Sequence, residues 1–330
     1  MKREIIFSLA MVAASVASHA TILRVSNVSG STAPYATIGA ALKTAQNGDT
    51  IMVDGSAINY GNFKFTDSTA IYKPIVLLGP GYFLQENDML HNQTASAEIG
   101  QLCIDAEGVI VQGMTINGNI EITAPKVIIN RCYINGKISL NGSLAQNCIL
   151  HQNFITGRIT GDLDDRMNWI TYNTQITNNI FTSWGSNYWK VIDLINNAVI
   201  CNNTWTEKSP YKMIEVRNST INNNILPVAE NDSLDNANSR NNNKFLFESY
   251  SNLKSFEWDA LMSPFLNQTN TDMEISDVEI SKSGVGAFSG DDPYVISGIP
   301  SGPVIESLII PASAQENGTM NITIKIGMSR

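Results

Sequence analysis

The sequence predicts an all-β fold, a single-stranded parallel β-helix whose coils stack one upon the next. Three observations carry the prediction. A short motif recurs at a steady interval, and apolar residues occupy fixed columns around it. A segment with helical periodicity precedes the repeat, and an irregular, Gly- and Pro-dense segment follows it.

The motif is plainest in "TQITNNIF", "AVICNNTW", "STINNNIL" and "NSRNNNKF". Aligned on the residue before the polar pair, the repeats are anchored at Gln112, Asn130, His151, Thr177, Cys201, Asn222 and Asn241, with steps of 18, 21, 26, 24, 21 and 19 residues. A period of this size is the signature of a solenoid. One position earlier stand Val111, Ile129, Leu150, Ile176, Ile200 and Ile221, with Arg240 the exception. Four positions after the anchor stand Ile116, Ile134, Ile155, Phe181, Trp205, Leu226 and Phe245. Two apolar columns five residues apart fall on opposite faces of a straight strand, so a bend between them is needed to return both to one interior. Asparagine suits that bend because it tolerates the left-handed region and bonds nearby backbone. In stacked coils, equivalent amides can also form a ladder that satisfies buried polar groups. Leucine-rich repeats are the rival class, but neither a regular leucine pattern nor an intervening helix accompanies the period.

The elements follow in order. Residues 1–20 carry a basic start, a short apolar run and small residues before a cut, which reads as a signal peptide cleaved after Ala20 and implies export. No later stretch is apolar and long enough for a membrane-spanning helix. In "YATIGAALKTAQNGDTIMV" (35–53), Ile38, Ala41, Leu42 and Ala45 share one helical face. Asn47 and Gly48 then supply a stop, and Thr50 to Val53 begins the first strand. The repeat occupies 21–250 with its entry segment. Beyond it, 251–330 reads as irregular coils and a C-terminal capping segment over the far end, closing on "NITIKI", which alternates like an edge strand.

The entry segment, with "KPIVLLGPGY" (73–82) after it, resembles the start of secreted right-handed parallel β-helix proteins of the pectin-lyase-like superfamily. The likeness covers roughly residues 35–250. It implies a right-handed solenoid whose short helix caps the open core. The C-terminal segment resembles the ends of surface β-helix proteins of Bacteroidetes-type bacteria. Such a fold hosts many activities, so function must be argued from a site.

Composition excludes several classes. The formal charge of −9 becomes −10 once Lys2, Arg3 and Glu4 leave with the leader, which argues against nucleic acid and anionic membrane as partners. Cys103, Cys132, Cys148 and Cys201 show no paired short spacing of a metal site, and read as buried free thiols. P-loop, GxGxxG, HExxH and GxSxG motifs are missing.

Solenoid function gathers where loops lengthen and side chains align across coils. The two longest steps hold "GDLDDRMNWITY" and "SWGSNYWKVIDL", with Trp169, Trp184, Trp189 and Trp205 nearby. Trp205 lies in the inward column and reads as core; Trp184 and Trp189 offer flat faces on which sugar rings stack. Seven positions past the anchor stand Asn119, Lys137, Arg158, Trp184 and Lys208, a basic and aromatic strip at coil spacing that suits an acidic polymer, with a row of solvated side chains as the plainer alternative. Asp162, Asp164 and Asp165 could supply oxygen ligands to Ca²⁺, or simply form a hydrated turn.

Lyases of the resembled superfamily use calcium to neutralise a uronate and a Lys or Arg as base, roles that would fall to Lys190 or Arg166. The catalytic patches of the superfamily's polygalacturonases are otherwise missing, with Asp164-Asp165 alone matching, as are the pectate-lyase patterns around Trp-x-Asp-His and Arg-x-Pro-x-x-Arg. The reading is an exported glycan-contacting protein of the cell surface or secretome. A calcium-dependent polysaccharide lyase and an adhesive rod binding a host protein are the alternatives.

Overall fold

A computed structural model describes residues 20–65, 73–84, 95–182, 190–205, 214–226, 238–241, 243–245, 285–299, 302–309, 320 and 322–329. The coils are built from very short strands. In Ile128–Asn130 only the middle residue, Ile129, points inward, because successive side chains alternate. The anchor columns stack in register: Asn130 lies beside Gln112 and His151, His151 beside Thr177, Thr177 beside Cys201, and Cys201 beside Asn222. Val111, Ile129, Leu150, Ile176, Ile200 and Ile221 are all fully buried.

Each coil passes through three parallel sheets, here called A, then C, then B. Among the described residues these hold ten, eight and eight strands, added in sequence order. The result is a right-handed parallel β-helix. Helix α1 (Ile38–Thr44) opens it, with the Thr37 hydroxyl accepting from Ala40 N at 3.2 Å. Ile38, Ala41 and Leu42 are buried against the first coils and close that end of the core. The solenoid begins one strand earlier than the sequence suggested, since Ile22–Val25 pairs with Thr50–Val53 from outside.

The paired asparagines divide their work. The first position of each pair takes the left-handed bend between sheets A and C: Asn178, Asn202 and Asn223 have φ of 54°, 56° and 56°, and Arg131 and Gln152 do the same in earlier coils. The second position turns its amide inward. Asn153 N donates to Asn179 Oδ1 at 2.9 Å, Asn179 N to Asn203 Oδ1 at 2.9 Å, Asn203 N to Asn224 Oδ1 at 2.9 Å, and Asn224 N to Asn243 Oδ1 at 2.9 Å. Each amide nitrogen also reaches a sheet A carbonyl, as Asn203 Nδ2 does to Ile176 O at 2.8 Å. Buried polar groups are thereby satisfied coil by coil. After the bend, Ile99, Ile116, Ile134, Ile155, Phe181 and Trp205 fill the inside of sheet C, with Trp205 stacked on Phe181 at 4.5 Å.

The next corner depends on glycine. A Cβ on Gly136 would lie 2.4 Å from Gly118 O, and one on Gly157 only 1.9 Å from Gly136 O. At the third corner, Asn147, Asn173, Asn197 and Asn218 again take left-handed φ. Their exposed amides link too, Asn173 Nδ2 to Asn147 Oδ1 at 3.2 Å and Asn197 Nδ2 to Asn173 Oδ1 at 2.6 Å.

All four cysteines are free. Burial pushes the Cys132 thiol up to about 12 and Cys148 to about 11, whereas Cys103 and Cys201 are only half-buried.

Residues 285–299 do not cover the far end. They run back along the solenoid as a strap on the A–C corner. Gly286 N donates to Asn223 O, Asn178 Nδ2 to Ala287 O and Ser289 O, Gln152 Nε2 to Asp292 Oδ1, Arg131 Nη1 to Ile299 O, and Tyr82 N to Ser297 O. Beneath the strap, Phe154 and Ile180 point outward from sheet C and are buried with Tyr82, Ala287 and Tyr294; the Tyr82 and Tyr294 hydroxyls bond each other. An antiparallel hairpin, Gly302–Ile309 with Thr323–Ser329, follows.

Candidate functional site

The outward side of sheet B carries one polar side chain per coil. Lys64, Cys103, Glu121, Ser139, Thr160, Asp193 and Glu215 stand in register, Glu121 for instance between inward Ile120 and Ile122, with Ser139 and Thr160 themselves buried. The alternation of a three-residue strand makes this file, with successive members about 4.8 Å apart. Among the described residues no segment hydrogen-bonds across it, in contrast to sheet C under the strap.

Of the strip expected from the sequence, Asn119, Lys137 and Arg158 occupy consecutive coils beside this file. Ile120 N bonds Lys137 O, Ile138 N bonds Arg158 O, and Lys137 N bonds Asn119 Oδ1 at 3.0 Å. The stack then departs from the expectation. Ile159 N bonds Val191 O, so buried Val191 follows Arg158 where the alignment had placed Trp184. Half-buried Lys190 immediately precedes it. Trp184, Trp189 and Lys208 lie outside the described residues.

The register shifts because one coil is interrupted. Ile159 and Thr160 pair with Ile192 and Asp193, then residues 161–170 leave the sheet, and Thr171 and Tyr172 resume pairing with Ile195 and Asn196. The coil above bulges at the same place, with Leu194 held at φ 61°. A leucine in the left-handed region is a costly outlier. Gly161 accommodates it, since a Cβ there would meet Leu194 O at 2.0 Å. A bulge of this kind re-aims neighbouring side chains.

Beside the bulge, Asp193 Oδ2 lies 4.0 Å from Arg158 Nη2, with 14% of the carboxylate side chain and 22% of the arginine exposed. Burial raises the Asp193 pKa above its ordinary value, and Glu215 pushes the same way; the Thr160 hydroxyl, Arg158 and Lys137 oppose them. Asp193 Oδ1 is buried and without a hydrogen bond. Further along, Lys64 pairs with Asp105 at 3.3 Å and Asn141 Nδ2 donates to Glu121 Oε1 at 2.8 Å.

The interrupting loop carries the acidic cluster. Asp162 Oδ2 accepts from Gly142 N at 2.8 Å and its Oδ1 from Leu163 N at 2.9 Å. Asp164 Oδ1 accepts from Arg166 N and Asn168 N, and its Oδ2 from Asn168 Nδ2 at 2.9 Å, so bonds chiefly from Asn168 hold its carboxyl below the ordinary value. These carboxylates shape the loop. Asp165 and Arg166 are exposed at its tip. Among the described residues, no three His, Cys, Asp or Glu side chains converge as they would to hold a metal ion. Trp169 is buried beneath the Arg217 guanidinium, 4.2 Å from its ring centre, and Trp205 is core. Among the described residues of this loop region, Tyr172 on the resumed strand is the exposed ring.

The sequence reading missed Asp193 and Glu215. Their signal was present in "VIDL" and "MIEV", which repeat the apolar–polar–apolar pattern of "NIEI" and "KISL", but only an alignment on sheet B would have exposed it.

No family model matches the chain, and no curated protein matches it. Among solved structures, the crystal structure of the pectin methylesterase from Aspergillus niger in deglycosylated form is similar at a TM-score of 0.37 and 10% identity, covering 72% of this chain and 89% of that one.

Proposed function

We propose that the chain binds a polysaccharide laid along the outward face of sheet B, parallel to the solenoid axis. The observation that carries this reading is the file from Glu121 through the buried hydroxyls of Ser139 and Thr160 to Glu215, one polar group per coil, across which no described segment hydrogen-bonds. Its spacing is close to the rise of one sugar in an extended glycan, so successive residues of a polymer meet successive coils in equivalent positions. Lys137 and Arg158 flank the file as donors, and the loop at 161–170 walls it. Trp184, Trp189, Lys190 and Lys208 belong to the same proposal as further contacts. Export to the cell surface or medium rests on residues 1–20. Among the described residues, no helix is long and apolar enough to cross a membrane.

Retention on columns of insoluble or immobilised polysaccharides tests the reading. Wild type is expected to be retarded on at least one, and folded Lys137→Gln with Arg158→Gln to lose most of that retardation. Equal retention of the double variant would remove sheet B as the site. Assaying the same glycans for unsaturated sugar ends, with calcium and with chelator, checks that binding stands alone. Calcium-dependent release would replace it with a lyase using Arg166 or Lys190 as base and the loop at 162–165 for the metal.

A second reading, a rod that docks a protein, is favoured by the outward face of sheet A. There Ile110, Ile128 and Ile149 form a half-buried aliphatic file in register. Adhesion to immobilised collagen, laminin and mucin, wild type against Ile128→Glu, checks it; no adhesion by wild type would discard it.

A further inference from the structure

The strip expected from the sequence suited an acidic polymer, because Lys137 and Arg158 were seen without their neighbours. Sheet B supplies those neighbours. Arg158 faces Asp193 at 4.0 Å, Lys64 faces Asp105 at 3.3 Å, and Arg217 lies over Trp169. Glu121, Asp193 and Glu215 stand in the central file itself, while the cations stand beside it or at its start. A uronate chain lying there would set its carboxylates against Asp193 and Glu215 in adjacent coils and against Glu121 three coils before Asp193, where like charges repel.

We infer that the glycan taken by this face is an uncharged, hydroxyl-bearing polysaccharide and not a uronate. The inference rests on the sheet B reading and specifies its ligand. A hydroxyl both donates and accepts. It can therefore donate to Glu121 and Glu215 and accept from Lys137 and Arg158. A carboxylate can only accept. Asp193, 4.0 Å from Arg158 beside the strained Leu194 bulge, offsets the guanidinium charge toward the ligand.

The test uses paired polymers with a shared backbone, one member of each carrying carboxylates: polygalacturonate and its carboxyl-reduced galactan, carboxymethyl-cellulose and cellulose, and glucuronoxylan and linear xylan. Wild type is expected to bind one neutral member at least about tenfold tighter than its charged partner. That binding should hold between about 0.05 and 0.5 M salt, since no ion pair is formed with the ligand. Asp193→Asn with Glu215→Gln is expected to gain salt-sensitive binding of the charged member, because two of the three carboxylates of the file are then neutral and offset less of the positive charge of Lys137 and Arg158. Glu215→Gln alone should move part way, which guards against a double variant that fails to fold, as judged by circular dichroism. Preference of wild type for a charged member, abolished by salt, would overturn the inference and leave the site standing. An unchanged preference in folded variants would also overturn it. Retention on none of the six would sink the site reading and this inference with it.

Discussion

Asn203 shows what a single side chain contributes to a stacked coil. Its Oδ1 accepts from both Asn179 N and Asn179 Nδ2, at 2.9 and 3.0 Å, inside the core. Asn203→Ala leaves two buried donors without an acceptor and is expected to cost about 3 kcal/mol, read by urea unfolding. Gly157→Ala should cost about 2 kcal/mol in the same measurement, because its Cβ would collide with Gly136 O and the coils would have to part. Titration separates two aspartates. Asp193 is raised, so its contribution to stability is greatest below the ordinary value of 3.8 and is lost as pH rises through its folded value. Asp164 is lowered, so its contribution is present above 3.8 and is lost as pH falls through its folded value. Asp193→Asn is therefore expected to flatten the fall in melting temperature that begins above about pH 4, with no loss at neutral pH. A steeper fall in the variant would show that the Arg158 pairing outweighs burial.

At the scale of elements, the strap is the contact most distant in sequence. Gln152 bonds Asp292 across 140 residues, and His151 Nε2 lies 3.0 Å from the same carboxylate. The strap explains why sheet C carries large apolar residues facing outward, which a single-sided sheet would expose to water. Tyr294→Ala removes a ring that is 7% exposed and packs in the outer cluster, an expected loss of about 3 kcal/mol. Hydrogen exchange should locate the damage. The Tyr82 amide, bonded to Ser297 O, would exchange faster, while the core amide of Ile200 stays protected. Equal acceleration of both amides would mean that the strap holds the whole solenoid together.

At the scale of the whole molecule, the coils depend on packing and amide bonds without covalent staples. Reductant is expected to leave the melting temperature unchanged, since all four cysteines are free; a drop would reveal a bridge. Much of this architecture was legible in the sequence. From Gln112 to Asn241 each coil bonds to the next in sheet A through equivalent residues 18 to 26 positions apart, so the inward columns from Val111 to Ile221 and from Ile116 to Leu226 repeat visibly. The site was less legible. Residues 161–170 interrupt a strand and shift the register from Arg158 to Val191, so an alignment anchored at one corner misplaces the members of another sheet. The register shift hides the pairing of Asp193 with Arg158, and the docking of residues 285–299 carries no periodic signal. The sequence by itself determined the coil, its inward columns and the corners that asparagine can turn, because those are set by nearest-neighbour stacking. Only the tertiary structure decided which charges cancel on sheet B and which face the strap covers, because the loop at 161–170 shifts the register of the first and no repeat relates the residues joined in the second.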